Sequence, residues 1–227
     1  RNLPRICLMK ILIGCETSGT VRNAFLDKGH DTWSCDILPA DDQTNRHIQD
    51  DVRNVLRMEA WDLLMVAHPP CTRLCNSGVR WLHKAPPGKT VAEMWQELEE
   101  GTALFSDLWN ADVPRIAIEN PIMHKHAKAR IENFEPFTQS VQPYEFAESV
   151  EAEDNVTKRT CLWLKNLPKL KPTNIVPLTY ITTPNGHRYT KGWYNTPRNS
   201  TDRSRTFMGI ASAMADQWGG ETNEHNI

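Results

Sequence analysis

The chain is expected to fold as an α/β domain on a mostly parallel sheet. Three observations predict it. Short runs are apolar almost throughout (KILIG at 10–14, WDLLMVA at 61–67, RIAI at 115–118), segments of helical period lie between them, and Gly, Pro, Asn or Asp stops each run. A strand buried on both faces shows no polar alternation, and a parallel neighbour is reached through a helical crossover.

In order, Lys10–Cys15 reads as the first strand, ending near Gly14, and the following TSGT leads into a helix. Val21, Phe25 and Leu26 share one face of that helix, and Gly29 stops it. Asp31–Asp36 reads as a second strand ending on an acid, and His47–Asp50 as a third short segment. Trp61–Ala67 is a buried strand halted by His68-Pro69-Pro70, and the residues from Cys71 to Gly88 read as a mobile loop. Thr90–Asn110 is the best helix, since Val91, Met94, Trp95, Leu98, Leu104, Phe105, Leu108 and Trp109 keep its period. Arg115–Ile118 is the next strand and runs into Glu119-Asn120-Pro121; Gln139–Phe146 and Thr160–Leu164 are later strands. Between Asn166 and Arg205 no period is sustained, which reads as loop or a small irregular subdomain, and Phe207–Trp218 returns as a helix before Gly219-Gly220. The expected organisation is a catalytic domain over 9–165, a short basic segment over 166–205 and a returning helix over 206–220.

A length of 227 residues with 39% hydrophobic and 24% charged side chains suits one globular domain. No run approaches the ~20 apolar residues of a membrane-spanning helix, and residues 1–8 lack the apolar stretch of a secretory signal, so Met9 is a candidate start and a cytoplasmic setting is expected. Six cysteines are too few for a disulfide scaffold and read as free thiols; Cys71 and Cys75 with His68 and His83 are the nearest thing to a metal cluster, and no metal is expected.

The net charge of −2 hides an asymmetry. From Lys158 to Arg205 there are ten basic residues and one acid, which leaves 16 basic and 27 acidic residues elsewhere, or +9 against −11. Trp163, Tyr180, Tyr189, Trp193 and Tyr194 stand among these charges. Phosphate neutralisation and base stacking would suit such a segment to a nucleic acid; a solvated basic surface is the plainer alternative.

In a parallel α/β sheet, ligands bind beyond the carboxyl ends of the strands. The residues at those ends are Gly14, Cys15, Glu16, Thr17, Ser18 and Gly19, then Asp36, Asp51, His68-Pro69-Pro70-Cys71 and Glu119-Asn120. A Gly-containing first loop with an acid about 20 residues on suits a nucleoside, whose ribose Asp36 would hold, and Asp51 could accept from an adenine amino group. No phosphate-binding lysine accompanies them, which favours an adenosyl ligand without phosphates. Cys71 on a stiff Pro-Pro loop is placed to add to C6 of a pyrimidine, and Glu119 at the next strand end to hold the ring's N3 and exocyclic amine. Taken singly, these residues have plainer readings as turns, helix caps and a small buried thiol.

Together they resemble the DNA cytosine-5 methyltransferases, and more closely the short versions carried by phages and prophages. The resemblance runs from Met9 to Gly219 in the family's order. LIGCETSG is similar to the cofactor loop, PPC ending at Cys71 to the nucleophile motif, IENP with Glu119-Asn120 to Glu-Asn-Val, and FMGIASAMADQW to the last helix. Thr72 stands where the family has Gln, the loop lacks the usual aromatic, and Lys158 and Arg159 stand in for the target-base contacts.

The resemblance implies a Rossmann-like methyltransferase fold and S-adenosyl-L-methionine held by the 14–19 loop, Asp36, Ile37, Asp51, Val52 and Pro69. It implies catalysis by Cys71, Glu119 and Asn120 on a flipped-out cytosine. DNA contacts are expected from Arg73, Asn76, Arg80, Lys158, Arg159, Arg188, Lys191, Trp193 and Arg198, and the expected state is a monomer. Two alternatives stand beside it: a pyrimidine-modifying enzyme using Cys71 on a nucleotide or with another donor, and a nucleic-acid-binding relative without turnover. His124 and His126, flanking Lys125, are expected to be exposed at a helix start, and Cys75 to be a spectator thiol.

Overall fold

The computed structural model describes residues 8–196 and 205–220. Its centre is a seven-stranded sheet in the order β3-β2-β1-β4-β5-β7-β6. The strands are β1 (Lys10–Gly14), β2 (Asp31–Asp36), β3 (His47–Gln49), β4 (Leu63–Val66), β5 (Arg115–Asn120), β6 (Gln139–Val141) and β7 (Thr160–Lys165). Strands β3, β2, β1, β4 and β5 are mutually parallel, while β7 enters antiparallel between β5 and β6. The predicted α/β class with a mostly parallel, Rossmann-like sheet is therefore observed. Strand order reverses between β1 and β4, and the crevice of such a sheet opens there.

Alternation along the strands divides the core between the two faces. Ile11, Ile13, Leu63, Met65 and Ala117 point to the side covered by α1 (Thr20–Asp27) and α6 (Met208–Trp218). Leu12, Leu64, Val66, Ile116 and Ile118 point to the side covered by α2 (Val52–Met58) and α3 (Val91–Trp109). Each face thus has its own apolar layer, and that is why the strand sequences carry no polar alternation. The last helix returns as expected, packing on α1.

Helix α3 begins on a capping box: Thr90 accepts from the Glu93 N–H, and the Glu93 carboxylate accepts from the Thr90 N–H. Thr90→Ala is expected to cost about 1 kcal/mol of stability, read as a lower denaturant midpoint at unchanged slope.

The structure differs from the sequence expectation in several places. Gln139–Phe146 is not one strand: β6 ends at Val141, and Pro143, which has no N–H for a ladder, opens a 3-10 turn over Pro143–Glu145. Helix α2 was not anticipated, and Asp51 is its N-cap. The stretch from Cys71 to Gly88, read as a mobile loop, contains a 3-10 helix over Asn76–Leu82 whose Leu82 is buried. After β7 the chain forms a two-stranded antiparallel hairpin, β8 (Tyr180–Thr182) and β9 (Arg188–Thr190), and a short helix α5 (Lys191–Asn195), where no regular element was expected. The remaining helix, α4, spans Lys125–Lys128.

Candidate active site

Two neighbouring features occupy the carboxyl ends of the strands. The first is a cavity of about 560 Å³ lined by Cys15, Asp36, Ile37, Asp51 and Val52, five of the expected cofactor residues. Gly14 backs it so closely that a Cβ would meet Val52 Cγ2 at 2.9 Å. Cys15 takes the left-handed conformation (φ +56°), rare for a residue with a Cβ, and this turns the chain out of β1. The next residues face away from the cavity. Glu16 is fully buried and accepts from the Val21 and Arg22 N–H groups at 2.7 and 3.1 Å, thereby holding the start of α1. Burial pushes its carboxyl above the ordinary range. Ser18 accepts from the Thr20 N–H, the Thr17 carbonyl accepts from the Asp41 N–H, and Gly19 (φ +71°) is the N-cap. Pro69 is buried; its neighbour Pro70 lines the cavity.

Both carboxylate oxygens of Asp51 are engaged. Besides capping α2, they accept from Arg53, which holds the carboxyl below its usual range. Arg73, expected to face DNA, instead lines this cavity and donates to Glu97 at 2.6 Å. Asp50, Arg53, Glu97 and Glu100 are lining residues that the sequence reading missed. Five acids thus meet two arginines, each already paired to one of the five. The wall is net negative.

The second feature is the mouth of the crevice, where Cys71, Glu119 and Lys158 interact electrostatically. Glu119, at the end of β5, is raised from 4.5 to about 7 because its carboxyl lies deep among protein atoms, with Lys158 opposing the shift. Part of its side chain is still open to the crevice, alongside Lys158, Phe207 and Met214. Cys71 is half-buried, and its thiol is pushed up to about 11 by burial, then by Cys75 and Glu119, with Lys158 pulling the other way. Burial lowers the Lys158 ammonium, and the negative forms of Glu119 and Cys71 support it. Lys158 also donates to the Arg205 carbonyl at 3.4 Å and lies 5.6 Å from the Phe207 ring centre. Asn120 is fully buried, and its amide donates to the Pro121 carbonyl at 2.8 Å, bracing the turn after Glu119.

His68 stands between the two features. Its Nε2 accepts from the Thr206 N–H at 3.2 Å, joining the end of β4 to the approach of α6. Burial, Lys158 and Arg205 lower its pKa to about 3, so the ring is neutral at physiological pH. Among the described residues no group of three or more His, Cys, Asp or Glu is placed to hold a metal ion.

His124 is not exposed as expected but is buried, and Cys75 is buried with its sulfur 3.0 Å from Ser77 Oγ. Gly78 was passed over in the sequence, yet a Cβ there would lie 1.8 Å from the Thr72 carbonyl oxygen, a backbone atom adjoining Cys71. Gly78→Ala is expected to destabilise the protein by about 1–3 kcal/mol, measured by denaturant unfolding, because only movement of the Cys71 turn makes room.

Of the expected DNA contacts, Asn76, Arg80 and Arg159 are exposed, and Arg80 lies over Trp81 at 4.4 Å. Arg188 stacks on Tyr180 at 3.7 Å within the hairpin. Lys191 and half-buried Trp193 line a separate cavity of about 690 Å³ against the turn at residues 150–155. Arg198 lies outside the described residues.

No family model matches the chain, and no curated protein does. A solved structure of a prophage-encoded E. coli protein, described as a candidate DNA modification methyltransferase, is 15% identical with a TM-score of 0.44, over 75% of this chain. The chain spans 53% of the length of that structure. The reading of the site therefore stands on its own residues.

Proposed function

We propose that the protein is a DNA cytosine-5 methyltransferase that uses S-adenosyl-L-methionine and acts through a covalent adduct on Cys71. The observation that carries this is the meeting of Cys71, Glu119 and Lys158 at adjoining strand ends, beside the acid-lined cavity of about 560 Å³.

The cavity suits the donor. Its volume falls within the roughly 300–1,000 Å³ of small-molecule sites. Net negative walls favour a ligand carrying sulfonium and ammonium charges over one carrying phosphates, and Asp36 at the end of β2 is placed for a ribose hydroxyl. When bound, the donor supplies an electrophilic methyl group.

The chain's own groups handle the pyrimidine. The Cys71 sulfur, once its proton has left, bonds to C6 of the cytosine. The C5–C6 π pair shifts to C4–C5 and the C4–N3 pair onto N3, which takes the Glu119 proton, and the resulting enamine is nucleophilic enough at C5 to take the methyl group. Water then takes the C5 proton, the C5–H pair becomes the C5–C6 double bond, Cys71 leaves as the thiolate with the C6–S pair, and Glu119 recovers its proton from N3. A carboxyl with a pKa near 7 is suited to both halves of that exchange, because at neutral pH it gives and takes a proton with little driving force either way. Lys158 opposes the upward shift of Cys71 and so favours the thiolate that attacks. Asn120 acts by bracing the turn rather than by touching the base. DNA would meet exposed Arg159 and the hairpin's Arg188, and a base inside a duplex has to be flipped out to reach Cys71. The setting proposed is the cytoplasm of a bacterium or phage-infected host, with the protein acting as a monomer.

The test is incubation with tritiated donor and unmethylated DNA, followed by identification of the labelled base. Label in 5-methylcytosine is expected. Tritium release from C5-labelled dCMP, with none from DNA, would overturn the DNA substrate in favour of a nucleotide.

A further inference from the structure

His124 lies five residues beyond Glu119 and is 4% exposed. Both of its ring nitrogens are engaged. The Ala127 N–H donates to Nδ1 at 3.1 Å, which leaves the ring proton on Nε2, and Nε2–H donates to the Arg73 carbonyl at 2.6 Å. The His124 backbone N–H donates to the Leu74 carbonyl at 3.0 Å, the Asn76 N–H to the Ile122 carbonyl at 3.0 Å, and Cys75 and Met123 face each other as an antiparallel bridge. The Leu74 and Cys75 N–H groups in turn close back on the Cys71 carbonyl at 2.9 and 3.0 Å. The turn that carries Cys71 and the segment that leaves Glu119 are therefore clasped into one unit.

We propose that His124 is a positioning residue that holds the Cys71 turn in register with Glu119. This rests on the reading of Cys71 as the nucleophile. Capping α4 needs only an acceptor at the place of Nδ1, which Asn, Asp or Ser supplies. The Arg73 bond needs a donor on the far side of the same ring, and imidazole presents acceptor and donor at opposite edges in one rigid group. Arg73 is fixed a second time through its side chain on Glu97, so a shift of its carbonyl cannot be absorbed by the whole residue sliding. The turn is thus held by His124, at the start of α4 after β5, and from α3 by Glu97. Supporting groups of this kind keep reacting side chains within the roughly 0.5 Å that chemistry tolerates.

The test uses the full chain and His124→Asn, which keeps an acceptor for the Ala127 N–H but is too short to reach Arg73. Three quantities are compared with the unaltered protein: thermal unfolding, the pH profile of Cys71 alkylation by iodoacetamide located by mass spectrometry, and covalent adduct formation with DNA containing 5-fluorocytosine. The expected result is an unfolding midpoint lowered by a few degrees, with the protein still folded at the assay temperature and Cys71 alkylated at least fivefold faster at pH 8. Its inflection should move down from about 11 as the turn opens to water, and adduct should form at least tenfold more slowly. A role confined to stability would expose buried Cys161 along with Cys71, whereas a loosened clasp leaves Cys161 protected. Alkylation of Cys71 within twofold of the unaltered protein at every pH would overturn the proposal, and so would buried Cys161 becoming reactive in step with Cys71. Should the unaltered protein form no adduct at all, the methyltransferase reading fails, while the alkylation comparison still decides the clasp.

Discussion

Cys71→Ala is expected to remove methyl transfer altogether, a fall of about 10⁴-fold or more, while the protein stays folded. The two halves of that expectation have separate origins. Without the sulfur nothing adds to C6, and C5 of cytosine is too weak a nucleophile to attack a methyl donor, so the cavity and Glu119 have no activated ring to work on. The fold does not depend on the thiol: Cys71 is half-buried, and the turn is held by its backbone carbonyl, which alanine retains. DNA with 5-fluorocytosine, given together with S-adenosyl-L-methionine, makes the comparison sharp, because after methyl transfer the fluorine cannot leave C5 as a proton does. The unaltered protein should then stall as a covalent complex visible on a denaturing gel, and the variant should give none. Methylation by Cys71→Ala at an undiminished rate would sink the covalent mechanism.

The strands that matter most could be read because burial on both faces leaves an unmistakable run. The stretches KILIG, LLMV and RIAI of β1, β4 and β5 have no polar alternation to confuse with a helix period, and their stops at Gly14, His68 and Glu119 mark the strand ends around which the candidate site is built. The helix from Val91 to Trp109 was equally plain, since it carries both an apolar stripe and its own cap. Helix α2 leaves little pattern because Val52 and Val55 are its only buried residues, and the Asp51 carboxylate that reads as a ligand also serves as cap and Arg53 partner. The β8–β9 hairpin was missed although Asn185-Gly186 is a turn signal. Its strands are three residues each and mostly exposed, so no hydrophobic alternation announced them.

Contacts between distant loops leave no trace in local pattern. Arg73 read as a DNA contact because a cation beside a nucleophile suggests phosphate, and only the fold brings Glu97 of α3 to it. His124 read as an exposed helix-start residue because position four beyond Asn120 says nothing about the Arg73 carbonyl. Gly78 carried a weak signal, a glycine soon after the nucleophile, whose reason is the close approach of the Thr72 carbonyl. What was legible, then, is which residues stand at strand ends; how the loops bearing them are tied together was not.

Glu119→Gln is expected to slow the chemical step by about 10²–10⁴-fold and to change the shape of its pH dependence. With a folded pKa of about 7, Glu119 holds its proton below neutrality and loses it above, so the supply of a proton for N3 falls tenfold per pH unit beyond about 7. The Cys71 thiolate, with its pKa of about 11, rises tenfold per unit up to that value. Their product climbs up to about pH 7 and is flat beyond it. Glutamine has no acidic proton to give, so the variant's much lower rate should keep climbing through pH 7 without a break, as single-turnover measurements from pH 6 to 9 would read. A break near pH 7 that survives in the variant would assign the titration to another group. The same substitution should act in the opposite sense on stability. Because the folded pKa is raised above 4.5, Glu119 favours the folded state most below about pH 4.5, and that contribution is lost as pH rises through about 7. Glutamine has no such loss, so at pH 8 the variant should gain on the order of 1–3 kcal/mol relative to its difference from the unaltered protein at pH 4.5, read from denaturant midpoints at the two values. A variant that is slower and yet more resistant to unfolding marks a carboxyl kept in a poorly solvating place for its chemistry; one that is slower and less resistant at both pH values marks Glu119 as part of the scaffold.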